Sequence, residues 1–241
     1  STLPGFKKWV GRDLLFDPTG ANIDRIHKYF PEAEWDESAS PALDQYISNL
    51  KEMEANIQMK KAELPSNDDY DFKTKPFDHQ RKAFYMSRDK KAFALLMEQG
   101  TGKTKVIIDN AAYLYAKGEI TSIVVIAPNG VHRNWLKEID IHMPDWCIRN
   151  SFYYSSGMNK KRIEEYDAVL GSSECLKIFT FNVEAFTSPK AIYYMQKILV
   201  SNKVMLVVDE SSRIKRPGAK RTKIITKFGK QADFKRIMTG T

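Results

Sequence analysis

Cysteine is almost missing: Cys147 and Cys175 stand alone in 241 residues. Two are too few for a disulfide framework and are not spaced as a metal site, which leaves buried, inert thiols. No apolar run approaches the roughly 20 residues that span a bilayer, and the N-terminus lacks the charged-then-apolar order of a secretory signal. The expectation is a cytoplasmic chain, in a host cell if viral, with no membrane partner. There is no internal repeat and no low-complexity tract. Acidic residues are scarce in one place only. Residues 211–241 hold ten Lys and Arg against the single Asp233, whereas the other 210 residues hold 28 basic and 29 acidic groups. The whole net charge of +8 therefore sits in that segment. Such a cluster attracts a polyanion by releasing its counterions, or else is a solvated surface.

What is present, 42% apolar and 28% charged, is an ordinary globular composition. The length allows one sizeable core and a smaller appendage. Residues 1–70 are aromatic-rich at first (Phe6, Trp9, Phe16, Tyr29, Phe30, Trp35) and then acidic, and predict a separate, mainly helical accessory unit. Ser40-Pro41 is a helix-start signal, and Leu43, Tyr46, Ile47, Leu50, Met53 and Ile57 follow at helical spacing to about Leu64. Residues 65–71 read as a linker. In 71–241, apolar runs at 92–97, 122–127, 178–182, 204–208 and 234–238 predict strands. Segments such as 104–117 and 189–200 predict the helices between them. That alternation predicts an α/β fold, a mostly parallel sheet with helices on both faces and ligands at the carboxyl ends of the strands.

After the first of these strands comes Glu98-Gln99-Gly100-Thr101-Gly102-Lys103-Thr104, opening a helix. The Gly100-Thr101-Gly102 turn lets backbone N–H groups curl around phosphate oxygens at a helix N-terminus, where the dipole favours an anion. Lys103 then reaches the β and γ phosphates of ATP, and the Thr104 hydroxyl ligates Mg2+. The strict pattern has glycine where this chain has Met97. A chance G-x-G-K-[ST] in this length is roughly a one-in-100 event. The alternative is a glycine turn with a surface lysine.

The strand at 204–208 ends in Asp209-Glu210. A carboxylate there gives a phosphate-loop ATPase its second hold on Mg2+, and the adjacent acid can polarise the attacking water. Without the loop, the pair is only a solvated strand end.

The run Asp209-Glu210-Ser211-Ser212-Arg213-Ile214-Lys215 resembles the acid box of Swi/Snf-type, superfamily 2 helicase-like ATPases. Met238-Thr239-Gly240-Thr241 resembles their third motif, the run from Pro128 through Trp135 their motif Ia, and Phe181-Asn182-Val183-Glu184 loosely their motif Ib. Pro76-Phe77-Asp78-His79-Gln80 is similar to the segment whose glutamine reads adenine. Five motifs in family order cover 76–241. The resemblance implies a RecA-like first motor domain in which Gln80 contacts adenine, and Thr239, Gly240 and Thr241 couple nucleotide state to the track. It further implies that Pro128, Asn129 and Thr180, with Arg213 and Lys215, touch phosphates of a nucleic acid, double-stranded DNA being favoured. Ser211-Ser212 stands where relatives often have Ala-His. Ordinary core packing is the plainer expectation for Trp135.

Members of that family pair this domain with a second RecA-like domain that supplies arginine fingers. The Ser1 start and the end after the third motif read as those of a piece of a longer protein, expected to bind nucleotide and hydrolyse it feebly. A helical cap on the motor is the plainer role for 1–70. Among rivals, a GTPase would need an Asn-Lys-x-Asp pattern, but Asn202-Lys203 is followed by Val204-Met205. A small-molecule kinase needs neither the basic segment nor the third motif. From a different class, a non-catalytic nucleic-acid-binding module with a vestigial ATP site remains open.

Overall fold

The computed structural model describes residues 6–10, 13–17, 19–61, 69–214, 216 and 218–240. Lys215, Thr241 and most of the expected linker lie outside the described residues. The chain divides into two compact units, Ser1–Glu63 and Leu64–Thr241.

In the first unit, β1 (Phe6–Val10) pairs antiparallel with β2 (Asp13–Phe16), and α1 (Gly20–Tyr29) and α2 (Ser40–Lys61) follow. Thr19 caps α1, its hydroxyl accepting from the Asn22 amide. The Tyr46 hydroxyl of α2 donates to Asp24 of α1 at 2.9 Å. The helices match the expectation for this region. The hairpin was not expected, because strands of five and four residues with a register shift between Phe6 and Lys8 give periodicity too little length to show.

The second unit runs α3 (Asp78–Ser87), β3 (Ala92–Leu96), α4 (Lys103–Ala116), β4 (Ser122–Ala127), α5 (Val131–His142), β5 (Arg149–Tyr153), α6 (Lys160–Gly171), β6 (Leu176–Asn182), α7 (Pro189–Ser201), β7 (Val204–Val208), α8 (Lys220–Gln231) and β8 (Phe234–Thr239). Its six strands lie in the order β3-β8-β7-β4-β6-β5, and every pairing is parallel. Strands β4 and β7 are continuous apolar runs because both of their faces are covered. One apolar layer joins Leu95, Val125, Val207 and Met238 to residues of α3, α4 and α5. The other joins Val124, Ile126, Leu206 and Val208 to α6, α7 and α8. Strand β5 was not predicted: at the sheet's edge it buries only Phe152, so its residues carry no apolar pattern.

This order fixes where the site can form. β8, later in the chain than every other strand of the sheet, lies between β3 and β7, with Leu96 opposite Thr239 and Val208 opposite Ile237. The loop after β3 and the acids after β7 thus flank the end of β8 at the carboxyl edge.

Candidate functional site

The chain leaves β3 through Met97, which packs half-buried against the core, while its carbonyl and that of Glu98 each accept from Lys103 Nζ at 2.8 Å. Met97 is not among the residues lining the cavity described below, so the departure from the strict motif points inward. Gly100 and Gly102 have φ of +76° and +77°, the left-handed region in which glycine carries no steric cost. Helix α4 then opens with Lys103, Thr104 and Lys105 and has no acid in its first turn. Cations at that end oppose the helix dipole, and a bound anion relieves them. Lys103 has three N–H donors, of which the two carbonyls use two.

Gln80 holds the loop from the other side. Its Oε1 accepts from the Phe77 amide at 3.0 Å and its Nε2 donates to the Thr101 carbonyl at 3.0 Å. His79 Nε2 lies 2.9 Å from the same carbonyl.

Asp209 follows β7, and its amide continues the ladder to the Ile126 carbonyl at 2.8 Å. Its Oδ1 accepts from the Glu210 amide at 2.8 Å and its Oδ2 from Trp135 Nε1 at 3.0 Å. Burial pushes the Asp209 carboxyl above its ordinary value, while these two donors and the charge of Lys103 oppose that shift. Glu210 has φ +48°, a strained conformation for a residue with a side chain.

These groups share one cavity of about 480 Å³, within the range of small-molecule sites. Gln80, Gly100, Gly102, Lys103, Thr104, Asp209 and Glu210 all line it. Thr101 is not among the lining residues: its carbonyl accepts from Gln80 Nε2 and its hydroxyl donates to the Glu98 carbonyl. Helix α5 adds Asn134, which lies in the Pro128–Trp135 run, and Glu138 and His142, which no motif covers; their recurrence every four residues marks one helix face. No group of three or more His, Cys, Asp or Glu among the described residues could hold a metal unaided. A threonine hydroxyl beside one or two carboxylates fits Mg2+, which keeps waters and takes other ligands from phosphates.

The residues expected at a nucleic-acid track are not brought together in the same way. Asn129 is exposed at the turn before α5, but Pro128 is buried. Thr180 has 0% exposure, because it pairs with Val125 in mid-sheet; here it offers no surface to a phosphate, which corrects its expected placement. Arg213 lies in the short 3-10 turn Ser211–Ile214. Gly240 abuts the phosphate loop so closely that a Cβ there would stand 2.8 Å from Gln99 Cγ.

The basic segment also needs one correction. Arg236 is wholly buried and bonds Asn110 Oδ1 and the Ser87 and Lys235 carbonyls, each at 2.8 Å; burial pulls its pKa down to about 10. Helix α8 instead buries Thr222, Ile225 and Phe228 and exposes Lys220, Lys223, Lys227 and Lys230 along one stripe.

The sequence model of the SNF2-related domain matches residues 36–241. The chain belongs to that family. Over 88 residues this SNF2-related domain is 31% identical to the SWI/SNF-related matrix-associated actin-dependent regulator of chromatin subfamily A containing DEAD/H box 1 of Bos taurus, covering 32% of the chain and 8% of that protein. Among solved structures, the SWI2/SNF2 ATPase core of Sulfolobus solfataricus in complex with dsDNA aligns with a TM-score of 0.54 at 21% identity, over 75% of this chain and 34% of that one. The UvsW helicase of bacteriophage T4 aligns at 0.52 and 12% identity, over 92% and 70%. The likenesses show a RecA-like fold, and with the family match they make the domain a helicase-like motor domain of the Swi/Snf type. The chain spans about a third of the Sulfolobus core.

Proposed function

We propose that this SNF2-related domain binds Mg-ATP in the 480 Å³ cavity and uses its hydrolysis to move along double-stranded DNA. The observation that carries this reading is the convergence, in that cavity, of a glycine-bounded lysine and threonine at a helix N-terminus with an Asp-Glu pair ending a neighbouring strand. Gln80 and Phe77 border the adenine end, Lys103 and the loop amides take the phosphates, and Thr104 and Asp209 share the magnesium ion. That ion, when bound, neutralises charge on the phosphates. Glu210 orients the attacking water. Thr239 and Gly240 report the state of the site, since β8 stands between β3, which leads into the loop, and β7, which leads into the acids.

The track runs over the exposed Asn129 turn, the 213–215 segment and the lysine stripe of α8, whose cations bind any polyanionic backbone. Residues 1–70 serve as an accessory unit to the 71–241 motor. No arginine lines the cavity among the described residues. An arginine finger is worth about 10³ to 10⁵ in turnover, so the chain by itself hydrolyses ATP feebly and needs a second RecA-like domain.

ATP affinity with and without Mg2+, for this chain and its Lys103→Ala variant, tests the reading. Magnesium-dependent binding lost in the variant is the expected result. Equal binding by both, or none by either, overturns it.

A further inference from the structure

Trp135 and Asp209 are 74 residues apart in sequence. They meet because α5 follows β4 in the chain while Asp209 follows β7, the strand paired with β4. The indole ring is 2% exposed and belongs to the apolar layer beneath α4, with its N–H aimed at the carboxylate. A buried indole N–H needs an acceptor, and a buried carboxylate needs donors. Plain core packing would be served as well by phenylalanine, which has no N–H.

The bond also restricts what the carboxylate can do. Trp135 Nε1 engages Oδ2 and the Glu210 amide engages Oδ1, so each oxygen is held by one donor and the group cannot rotate freely. Each oxygen keeps a further acceptor position for a cation or its water. Partners of this kind orient metal-binding carboxylates in many sites.

We propose that Trp135 is a positioning residue that holds the Asp209 carboxylate in the orientation required for magnesium. The assignment rests on the reading of the cavity as a nucleotide site. It separates Trp135 from Lys103: loss of the indole N–H weakens the metal and leaves the contacts to metal-free nucleotide in place.

The test uses the whole chain, labelled with 15N at its four tryptophans, with ADP as the nucleotide so that nothing is turned over. The Trp135 indole resonance is identified by its absence in Trp135→Phe, or by elimination with Trp9→Phe, Trp35→Phe and Trp146→Phe if that variant does not fold. Magnesium added to the ADP complex is expected to move this resonance, and not to move it in Asp209→Asn. Trp135→Phe is expected to bind ADP without magnesium as the parent does and to lose about tenfold in magnesium affinity. An unmoved resonance in a parent whose ADP affinity does rise with magnesium overturns the role of Trp135 alone, as does unchanged magnesium affinity in the variant. A parent without magnesium-dependent ADP binding overturns the nucleotide reading and this assignment with it.

Discussion

Gln80 and Gly102 are packed so tightly that a Cβ on the glycine would stand 2.1 Å from Gln80 Nε2. That amide is not free to swing away, since one end holds Thr101 and the other is held by Phe77.

Gly102→Ala therefore meets two costs: about 1 to 2 kcal/mol for a side chain at φ +77°, and the displacement of Gln80. Gly100→Ala meets the first alone, because nothing lies within 4 Å of its added Cβ. Calorimetry should show ATP affinity falling about tenfold or more in Gly102→Ala, and less in Gly100→Ala. Equal losses would remove Gln80 from the explanation.

Among the described residues no carboxylate pairs with Arg236, and the Asn110 amide oxygen accepts its Nε–H. Asn110→Ala leaves a buried guanidinium N–H without an acceptor and is expected to cost about 2 to 3 kcal/mol in denaturant unfolding. A loss below about 1 kcal/mol would mean that water or a shifted backbone replaces the amide.

Asp69 receives both terminal nitrogens of Arg88, at 2.6 and 2.8 Å, and the pair holds its carboxyl down to about 2. A carboxyl lowered by folding stabilises above its unfolded value, near 3.8, and loses that contribution as pH falls towards 2. Its side chain is 58% exposed, so screening limits the pair to about 0.5 kcal/mol. The melting temperatures of the parent and Asp69→Asn should differ at pH 6 and converge between pH 4 and 2. A constant gap would place the effect elsewhere.

If the stripe of Lys220, Lys223, Lys227 and Lys230 meets DNA phosphates, log affinity should fall with log salt, these four contributing a slope of about −3.6. Replacing all four by glutamine should remove that share. A slope unchanged by the replacement returns them to solvated surface.

The strands at 122–127 and 204–208 were legible to the residue, because burial on both faces leaves uninterrupted apolar runs. Strand β5 was not, since an edge strand keeps polar residues, nor was the β1–β2 hairpin. The residues around the loop and the acids were legible as motifs, because phosphate chemistry restricts residue type over a few consecutive positions. The Trp135–Asp209 bond leaves no such trace: it depends on how α5 docks. Arg236 counts as a surface cation by composition and is in fact a core residue bonded to two carbonyls and an amide. Thr180, just before the Phe181–Glu184 run, was expected at a phosphate only through the resemblance, yet it is wholly buried in mid-sheet.

The place of β8 bears on how the domain is made. Among the described strands β3 pairs only with β8, and their partners, such as Ala92 and Lys235, are separated by most of the unit. During synthesis the phosphate-loop strand therefore has no neighbour to hydrogen-bond until β8 emerges, although β4, β6 and β7 can already pair. Contacts so distant in sequence form late. Pulse-labelled hydrogen exchange during refolding should protect the amides of β3 and β8 together and after those of β4 and β7. Earlier protection of β3 would count against this order. On this order of events, the two sides of the 480 Å³ cavity are brought together by the arrival of a strand that lies between them, so an incomplete nascent chain has no such cavity.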